Sequence, residues 1–485
     1  MKQRSLKVNA VLNGIRQICA ILFPLITFPY VSRVLGSAGF GKYNFSQSVT
    51  GYFILLAALG IDTYAIREGA KIRDEKETVT RFCSQVFSIN VVTGLVSLCA
   101  LGLLLILNVK IGGYAPYILV ESVAIPLAVI GTNWVNSIYE DYLYLTLRYI
   151  AIQAIALAAM FLFVRKPSDV LIYCVIAVFA TNGGNLINLF YVRKYVRIRF
   201  TFHMEWRKHL IPLLLLFVNA VAIMIYVNAD IIMLGFYADD AVVGVYSFAA
   251  RIYSILKQLI NAVIVVSVPR ISYVLKNRNE AYDAYMRKLF SALCILMLPI
   301  VTGMLFMSDS MILIAGGAEY ITGNGALKIL SIATLFAIYA SLFTNCVLIV
   351  NRQEKKCLIA TSISAVINVG LNFILLPYIG MIGAAITTII AEMVNCAIQI
   401  GYSRPYFHWK RLAIRENLSC LPGVVLIAAI CVLCNHLIPN VFLRMGVAIL
   451  CSAAVYSAVL VLFRHPYMME VLQSVKNRLT GRRAA

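Results

Sequence analysis

The 485-residue chain has few charged residues and no long polar connections. Only 13% of its residues are charged, against about a quarter in an average soluble domain, whereas 61% are hydrophobic. Apolar stretches recur along the whole chain at about the 20-residue length that crosses a ~30 Å hydrocarbon core as a helix. This shortage of polar surface excludes an ordinary soluble domain and predicts an all-α integral membrane protein.

The motifs of common enzymes are also missing. The sequence has no P-loop and no nucleophile elbow, and its five histidines are scattered rather than spaced for a metal. Most of the twelve cysteines lie within apolar stretches, and Cys431 and Cys434 are interpreted as small apolar residues. We therefore predict no catalytic residue, no metal site and no cofactor. The natural enzymatic rival, a membrane polysaccharide polymerase or ligase, usually carries a large outer loop that this sequence lacks.

Hydropathy predicts fourteen transmembrane helices with short connections. They lie near residues 9–32, 43–62, 83–107, 116–139, 146–164, 168–191, 209–236, 242–266, 286–308, 327–350, 357–377, 381–401, 418–438 and 442–463. Acidic residues number 21 against 42 lysines and arginines, and most of the basic residues fall in alternate connections, where Arg148 is also placed. The positive-inside rule then predicts that both termini are cytoplasmic. It also explains the net charge of +21 without nucleic-acid binding.

A short motif occurs twice, about 200 residues apart. The copies are Leu35-Gly36 followed by Gly41-x-Tyr43-x-Phe45, and Leu234-Gly235 followed by Gly244-x-Tyr246-x-Phe248. Each copy joins two predicted spans on the outer side, and six spans separate them. The motif predicts two six-helix lobes, residues 1–200 and 201–403, with residues 404–485 adding two spans and a cytoplasmic tail. Parallel repeats of this kind are typical of alternating-access transporters, and both glycine turns are candidate elements of an outer gate.

Basic residues inside the predicted spans are candidate ligands for an anion. Arg16, Arg251 and Lys257 lie within spans, and Arg33 lies at an outer end. A charge at the centre of a membrane helix costs at least about 2.5–3.5 kcal/mol, so such residues usually face a wet cavity or a partner. Arg251 could instead pair statically with Asp230 or Glu392.

Amide and hydroxyl side chains recur at helical spacing beside these cations. The predicted polar lining comprises Asn13, Gln17, Ser247, Ser254, Gln258, Asn261, Asn368, Asn372 and Asn395. These residues could equally be hydrogen-bonding contacts between membrane helices. As a cavity lining they would suit sugar hydroxyls, while guanidinium groups bind phosphate oxygens. Asp62, Asp230 and Glu392 are candidates for coupling transport to protons or Na⁺.

The first motif belongs to a longer block that resembles a known family. Pro24-x-x-Thr27-x-Pro29-Tyr30-x-x-Arg33-x-Leu35-Gly36-x-x-Gly39-x-Gly41-x-Tyr43 is similar to the opening of bacterial polysaccharide (O-antigen type) lipid flippases. Further matching pieces are Gly60-Ile61-Asp62-x-Tyr64-x-x-Arg67-Glu68, Asn133-Trp134 with Glu140, Pro269-Arg270, and Leu376-Pro377-x-x-Gly380-x-x-Gly383-Ala384-Ala385. After Asn133-Trp134 the chain departs from the aromatic and Gln-Gly that the family pattern has.

This resemblance implies a MATE-like fold of the multidrug/oligosaccharidyl-lipid/polysaccharide exporter superfamily. It further implies transport of undecaprenyl-diphosphate-linked oligosaccharide across the bacterial inner membrane, with membrane lipid, a polysaccharide polymerase and a chain-length regulator as expected partners. Two related functions remain open: lipid II flipping and MATE-type drug or cation antiport.

Overall fold

A computed structural model describes residues 6–277, 279–406 and 417–479, and all regular secondary structure within these ranges is helical. The expected all-α membrane fold is therefore confirmed. In the first half the α-helices are α1 (Leu6–Ala58), α2 (Ile61–Gly69), α3 (Lys76–Leu107), α4 (Val109–Gly112), α5 (Ala115–Ser122), α6 (Ala124–Gly131), α7 (Asn133–Ile138), α8 (Tyr142–Phe163), α9 (Val170–Tyr191) and α10 (Trp206–Tyr237). They are followed by α11 (Asp240–Asn277), α12 (Asn279–Ala315), α13 (Asn324–Phe343), α14 (Glu354–Ser403), α15 (Leu421–Leu437), α16 (Val441–Leu462) and α17 (Pro466–Leu479).

Within the described ranges, eleven helical stretches are long and apolar enough to cross a membrane. Two of them, formed mainly by α1 and α14, are about twice as long as a helix that crosses a membrane once. Each consists of two arms that meet in a bend at one glycine. Gly36 has φ 70° and ψ 176°, and Gly380 has φ 50° and ψ −129°, values that a side chain at Cβ would oppose. Each arm of these helices is on the order of 30–45 Å long at 1.5 Å per residue. Each bent helix thus covers two predicted spans.

The predicted span 116–139 is not one helix. It is divided into α5, α6 and α7. Pro126 lies in the first turn of α6, where its missing N–H is tolerated but the hydrogen-bond ladder from α5 cannot continue. Thr132, with φ 40°, ends α6 in a left-handed conformation. The count of fourteen spans remains a prediction, because this segment is divided into three short helices.

Tertiary contacts divide the chain into two compact units, Met1–Ser247 and Phe248–Ala485. Helix α10 and the beginning of α11 belong to the first unit. The lobes predicted from the repeated motif, residues 1–200 and 201–403, rest on sequence and stay a prediction.

Large apolar side chains cover the outer faces of the long helices. Ile106 is 80% exposed, Val266 79% and Leu450 72%. A water-soluble protein rarely leaves so much contiguous apolar surface exposed, whereas a bilayer solvates it. The exposed faces therefore support the membrane assignment independently of hydropathy.

The two copies of the glycine motif lie against each other within the first unit. A Cβ added to Gly41 would stand 1.9 Å from the backbone oxygen of Asp240, and one added to Gly244 would stand 1.9 Å from that of Ser37. The backbones of α1 and α11 touch here, which only glycine permits. The first predicted turn is a bend at Gly36, and the second is made by Ala238, which has φ −129° and ψ 169° between α10 and α11. Both contact glycines lie in helices.

Candidate functional site

Lys257 on α11 is paired with a buried carboxylate of the same unit. Its Nζ lies 2.7 Å from Oε1 of Glu392 on α14, and the hydroxyl of Tyr253 donates to the same oxygen at 2.8 Å. The side chain of Glu392 is 3% exposed and that of Lys257 32%. Two predicted site residues, one proposed as a cavity cation and one as a coupling acid, thus neutralise each other.

Arg251 lies on the same helix and is exposed. The two acids considered as its static partners are engaged elsewhere, since Glu392 holds Lys257 and Asp230 accepts a hydrogen bond from Tyr246 at 2.8 Å. None of the ion pairs among the described residues includes Arg251. Its cavity role stays a prediction.

The predicted polar lining of the second unit falls into two groups. Asn368 and Asn372 are buried, and Asn372 donates to Asn368 at 3.2 Å and accepts from Thr387 at 2.6 Å. This is the hydrogen-bonding expected where two membrane helices pack together. By contrast, Gln258 is exposed and donates to Ser254 at 3.1 Å.

The remaining polar residues are more isolated from one another. Asn261 accepts a short hydrogen bond from Ser341, and Asn395 accepts one from Gln399 at 3.4 Å. Ser247, at the end of the first unit, is 3% exposed.

The candidates of the N-terminal span are only partly brought together. Arg16 lines a cavity of the first unit, whereas Gln17 and Arg33 are exposed. The side chain of Asn13 is outside the described part of the structure. Asp62 is exposed in the first turn of α2, where the helix dipole favours a carboxylate.

The cavity that Arg16 lines has a volume of about 170 Å³ and lies between α1, α7, α8 and α9. Its polar lining residues are Arg16, Asn133, Ser137, Arg148, Thr181 and Asn185. Two of the described residues that line it are arginines and none is acidic. Basic side chains therefore predominate among the charged groups of this lining.

Arg148 is held by neutral groups. Its Nη2 donates to Oδ1 of Asn133 at 2.6 Å, and Nδ2 of Asn133 donates onward to Asn185 at 2.8 Å. The guanidinium carbon lies 5.2 Å from the centre of the Tyr144 ring. The side chain also runs past Gly184, where a Cβ would come within 3.0 Å of its Nε. Within the described ranges no ion pair includes Arg148, and its buried Nη1 donates no hydrogen bond.

A cluster of tyrosines fixes this end of α8 against α9. The rings of Tyr144 and Tyr191 stack with centres 3.6 Å apart. Tyr191 and Tyr195 both donate to Oδ2 of Asp141, at 2.6 and 2.7 Å. Tyr144 is the ring beneath Arg148, so these contacts restrict where the guanidinium group can lie.

Sequence reasoning missed Arg148 because the residue lies at the very beginning of the predicted span 146–164 and was counted with the basic residues of the cytoplasmic side. In the structure it lies within α8, two turns from the start. The helix begins earlier than hydropathy indicates because Asp141 accepts a hydrogen bond from the backbone N–H of Tyr144, the usual N-cap contact. The preference of aspartate for this position was a signal in the sequence that could have extended the helix.

The comparisons with known proteins agree with this architecture. The polysaccharide biosynthesis protein family matches residues 6–275, and the lipid II flippase MurJ family matches residues 149–452. A solved structure of "Lipid II flippase MurJ, inward closed conformation" superposes with a TM-score of 0.69 at 17% identity, covering 93% of this chain and all of that one. An inward-facing multidrug resistance MATE transporter of the MOP superfamily gives 0.58 at 18%, with 84% and 99% covered.

These likenesses define a multi-pass membrane transporter with a MurJ- and MATE-like fold. Within that class, the chain belongs to the polysaccharide biosynthesis protein family, whose model matches more than half of it. A curated relative, "Putative O-antigen transporter" of Escherichia coli (strain K12), is 29% identical over 183 residues, which cover 38% of this chain and 43% of the relative. The match thus spans less than half of the relative's length. The families matched are transporters and flippases rather than enzymes.

Proposed function

We propose that this chain moves undecaprenyl-diphosphate-linked oligosaccharide from the cytoplasmic to the outer leaflet of a bacterial inner membrane, for synthesis of cell-surface polysaccharide. The observation that carries the proposal is the match to the polysaccharide biosynthesis family over residues 6–275. The cations within the helical region support it, because a diphosphate needs positive charge to leave water.

The proposed mechanism is alternating access. The diphosphate and sugars enter a polar cavity while the polyprenyl tail stays in lipid, and a conformational change then opens the cavity to the outer side. Arg16, Arg251 and Lys257 are the proposed phosphate ligands, with Arg33 near the outer end. Both termini are proposed to lie in the cytoplasm. The inside-negative membrane potential itself favours outward movement of an anion, by about 2.3 kcal/mol per charge per 100 mV.

Ion coupling is proposed at Asp62, Asp230 or Glu392. Glu392 is the best placed of the three, because its carboxylate is buried and bound to Lys257 at 2.7 Å. The pair joins a coupling candidate to a proposed phosphate ligand. The delivered repeat units would then pass to a polysaccharide polymerase and a chain-length regulator.

The test is deletion of the gene with analysis of lipid-linked saccharides by mass spectrometry. We expect full-length repeat units to accumulate on undecaprenyl diphosphate, with loss of surface glycan that the intact gene restores. When the deletion strain is complemented with the Arg251→Ala or the Lys257→Ala variant, the protein should insert into the membrane normally and fail to restore the glycan. A deletion strain with no accumulated repeat units would overturn the proposal.

Lipid II flipping is the second candidate, supported by the MurJ family match over residues 149–452. In that case depletion would halt peptidoglycan synthesis and lyse cells, while surface glycan synthesis would persist. A drug or cation antiporter has weaker support, because the described residues that line the cavity of the first unit include two arginines and no acid. It would instead raise drug resistance on overexpression.

A further inference from the structure

An acidic side chain is buried in the first unit, outside the arginine-lined cavity. Glu121, near the end of α5, is 5% exposed, and its Oε1 is buried without a hydrogen-bond partner among the described residues. It lies within the predicted span 116–139, although it was not one of the predicted coupling acids. A buried polar group that lacks a partner costs about 1–3 kcal/mol, and more when it is charged. Such groups in native proteins mark strain, a functional role or a bound water or ion.

Two hydroxyl groups on a neighbouring helix share this lack of partners. Ser46 and Thr50 of α1 are fully buried, and their hydroxyl oxygens have no partner within the described ranges. At about 100° per residue they share a helix face with Tyr43, whose ring centre lies 4.6 Å from that of Tyr173 on α9. Helix α5 packs against both α1 and α9. The interior of the first unit thus encloses polar oxygens that helix packing leaves unsatisfied.

The groups around Glu121 supply no cation for it. Helix α5 packs against α1, α6 and α9, and α6 has no titratable side chain. The thiol of Cys174 on α9 lies within hydrogen-bonding reach of the carboxyl. The basic residue of α1 beyond its bend, Lys42, lies 4.0 Å from Asp240 instead. The other titratable side chains of these helices in this part of the unit are Tyr43, Tyr52, Tyr117 and Tyr173. Within the described ranges no ion pair includes Glu121.

A carboxylate would be costly in these surroundings. An ionised carboxyl group in an apolar medium is so unfavourable that it takes up a proton unless a cation pairs with it. Two of the predicted coupling acids differ in this respect, since Glu392 is bound to Lys257 at 2.7 Å and Asp230 accepts a hydrogen bond from Tyr246 at 2.8 Å. A thiol is also a poor ligand for a hard cation such as Na⁺, which prefers oxygen. The site therefore fits a proton better than a metal ion.

We propose that Glu121 carries a proton in this conformation and releases it when α5 moves apart from α1 and α9. The break between α5 and α6 follows directly, and the missing N–H of Pro126 leaves that junction without one helix hydrogen bond. One proton, bound from water on one side of the membrane and released to water on the other, couples this movement to the proton gradient. The proton-binding site stands by itself, whereas its coupling to transport rests on the proposed function.

Labelling with dicyclohexylcarbodiimide tests the protonated state directly. This apolar reagent enters membranes and adds to protonated carboxyl groups, and peptide mass spectrometry of the full-length protein locates the adduct. We expect Glu121 to be labelled at mildly acidic pH, several-fold less at alkaline pH, and equally with and without Na⁺. Glu77 is exposed in the first turn of α3 and should stay unlabelled, because an exposed glutamate is ionised at these pH values. Protection by Na⁺ would assign the site to a metal ion and overturn the proposal, as would the absence of label at every pH.

A neutral variant tests the coupling. Glu121→Gln keeps the size and the charge of the proposed state, so it should elute as a single peak in size-exclusion chromatography. The assay uses proteoliposomes that contain undecaprenyl-diphosphate-linked oligosaccharide. With wild-type protein, a gradient of one pH unit should shift the ratio of this lipid between the leaflets about tenfold for one proton per lipid. Glu77→Gln should show the same shift and Glu121→Gln none.

The outcomes separate this inference from the proposed function. A full shift in Glu121→Gln overturns the coupling role. If that variant does not fold, the labelling of the wild-type protein still decides whether Glu121 binds a proton. Wild-type proteoliposomes that move no lipid-linked oligosaccharide, with or without a gradient, overturn the proposed function and leave the labelling result standing.

Discussion

The two units of this protein hold a half-buried cation in opposite ways. In the second unit Lys257 is bound to the carboxylate of Glu392 at 2.7 Å, so the pair carries no net charge. In the first unit Arg148 is bound to the neutral amide of Asn133 at 2.6 Å, so its charge remains. Both lie on helices long enough to span a membrane, where an ionised side chain is costly.

The difference shows that a charged residue within a span does not by itself identify a ligand site. The ion pair with Glu392 offsets the cost of placing the charge of Lys257 within a membrane helix. The same pair is a candidate for coupling transport to an ion. Among the described residues, the buried Nη1 of Arg148 has no hydrogen-bond partner, and its Nη2 is bound to a neutral amide. The two regions can therefore be separated by experiments on stability and on binding.

The largest expected effect is on stability in the second unit. Glu392→Ala leaves Lys257 without its acid and should lower the free energy of unfolding by about 3 kcal/mol, the lower end of the range for a broken buried pair, because Lys257 is partly exposed. Thermal unfolding followed by size-exclusion chromatography measures it. The double variant Lys257→Met with Glu392→Leu should recover most of the loss. If it is as unstable as Glu392→Ala, the pair is not the cause.

The next effect concerns stabilisation by ligand. Undecaprenyl diphosphate at about 100 times its dissociation constant should stabilise the wild-type protein by about 2.7 kcal/mol, read as a rise in the unfolding midpoint. The double variant of Lys257 and Glu392 should show a smaller rise, because Lys257 is a proposed phosphate ligand. Arg193→Gln, which removes an exposed arginine of the first unit, should show the full rise. An unchanged rise in the double variant would remove Lys257 from the proposed ligands.

Replacing arginine by lysine at one site and lysine by arginine at the other should lower the stability by smaller amounts, which differ between the two sites. Arg148→Lys removes the planar fork that reaches Asn133, so we expect about 1 kcal/mol of lost stability. Lys257→Arg should cost less, because the carboxylate of Glu392 accepts either cation. Chemical unfolding of both variants under the same conditions tests the order. Equal losses would mean that the two sites make similar demands on geometry.

The smallest effect is expected at an exposed ion pair. Lys288 and Glu470 lie 2.6 Å apart with side chains 52% and 56% exposed, and exposed pairs contribute about 0–1 kcal/mol. Glu470→Gln should therefore leave the unfolding midpoint nearly unchanged. A loss comparable to that of Glu392→Ala would show that burial is not what distinguishes the pairs.

Hydropathy predicted most long helices well, and the failures have local causes. The span 116–139 is mostly apolar, so hydropathy does not reveal that Pro126 and the left-handed Thr132 divide it. Conversely, Gly36 and Gly380 lie within helices that continue beyond the bend, where a loop was expected. A single residue can redirect the chain without a polar connection.

The amino-acid sequence by itself determined that the protein is surrounded by lipid, that it is all-helical and which family it resembles. These follow from apolar length and local motifs, which do not depend on distant contacts. Tertiary structure alone decided which cation is neutralised, because Lys257 and Glu392 are 135 residues apart and nothing local to either indicates the other. It also decided that Arg148 and Arg16 line one cavity, in which none of the described lining residues is acidic. Charge within a membrane is balanced by its neighbours in space, and those neighbours come from separate helices.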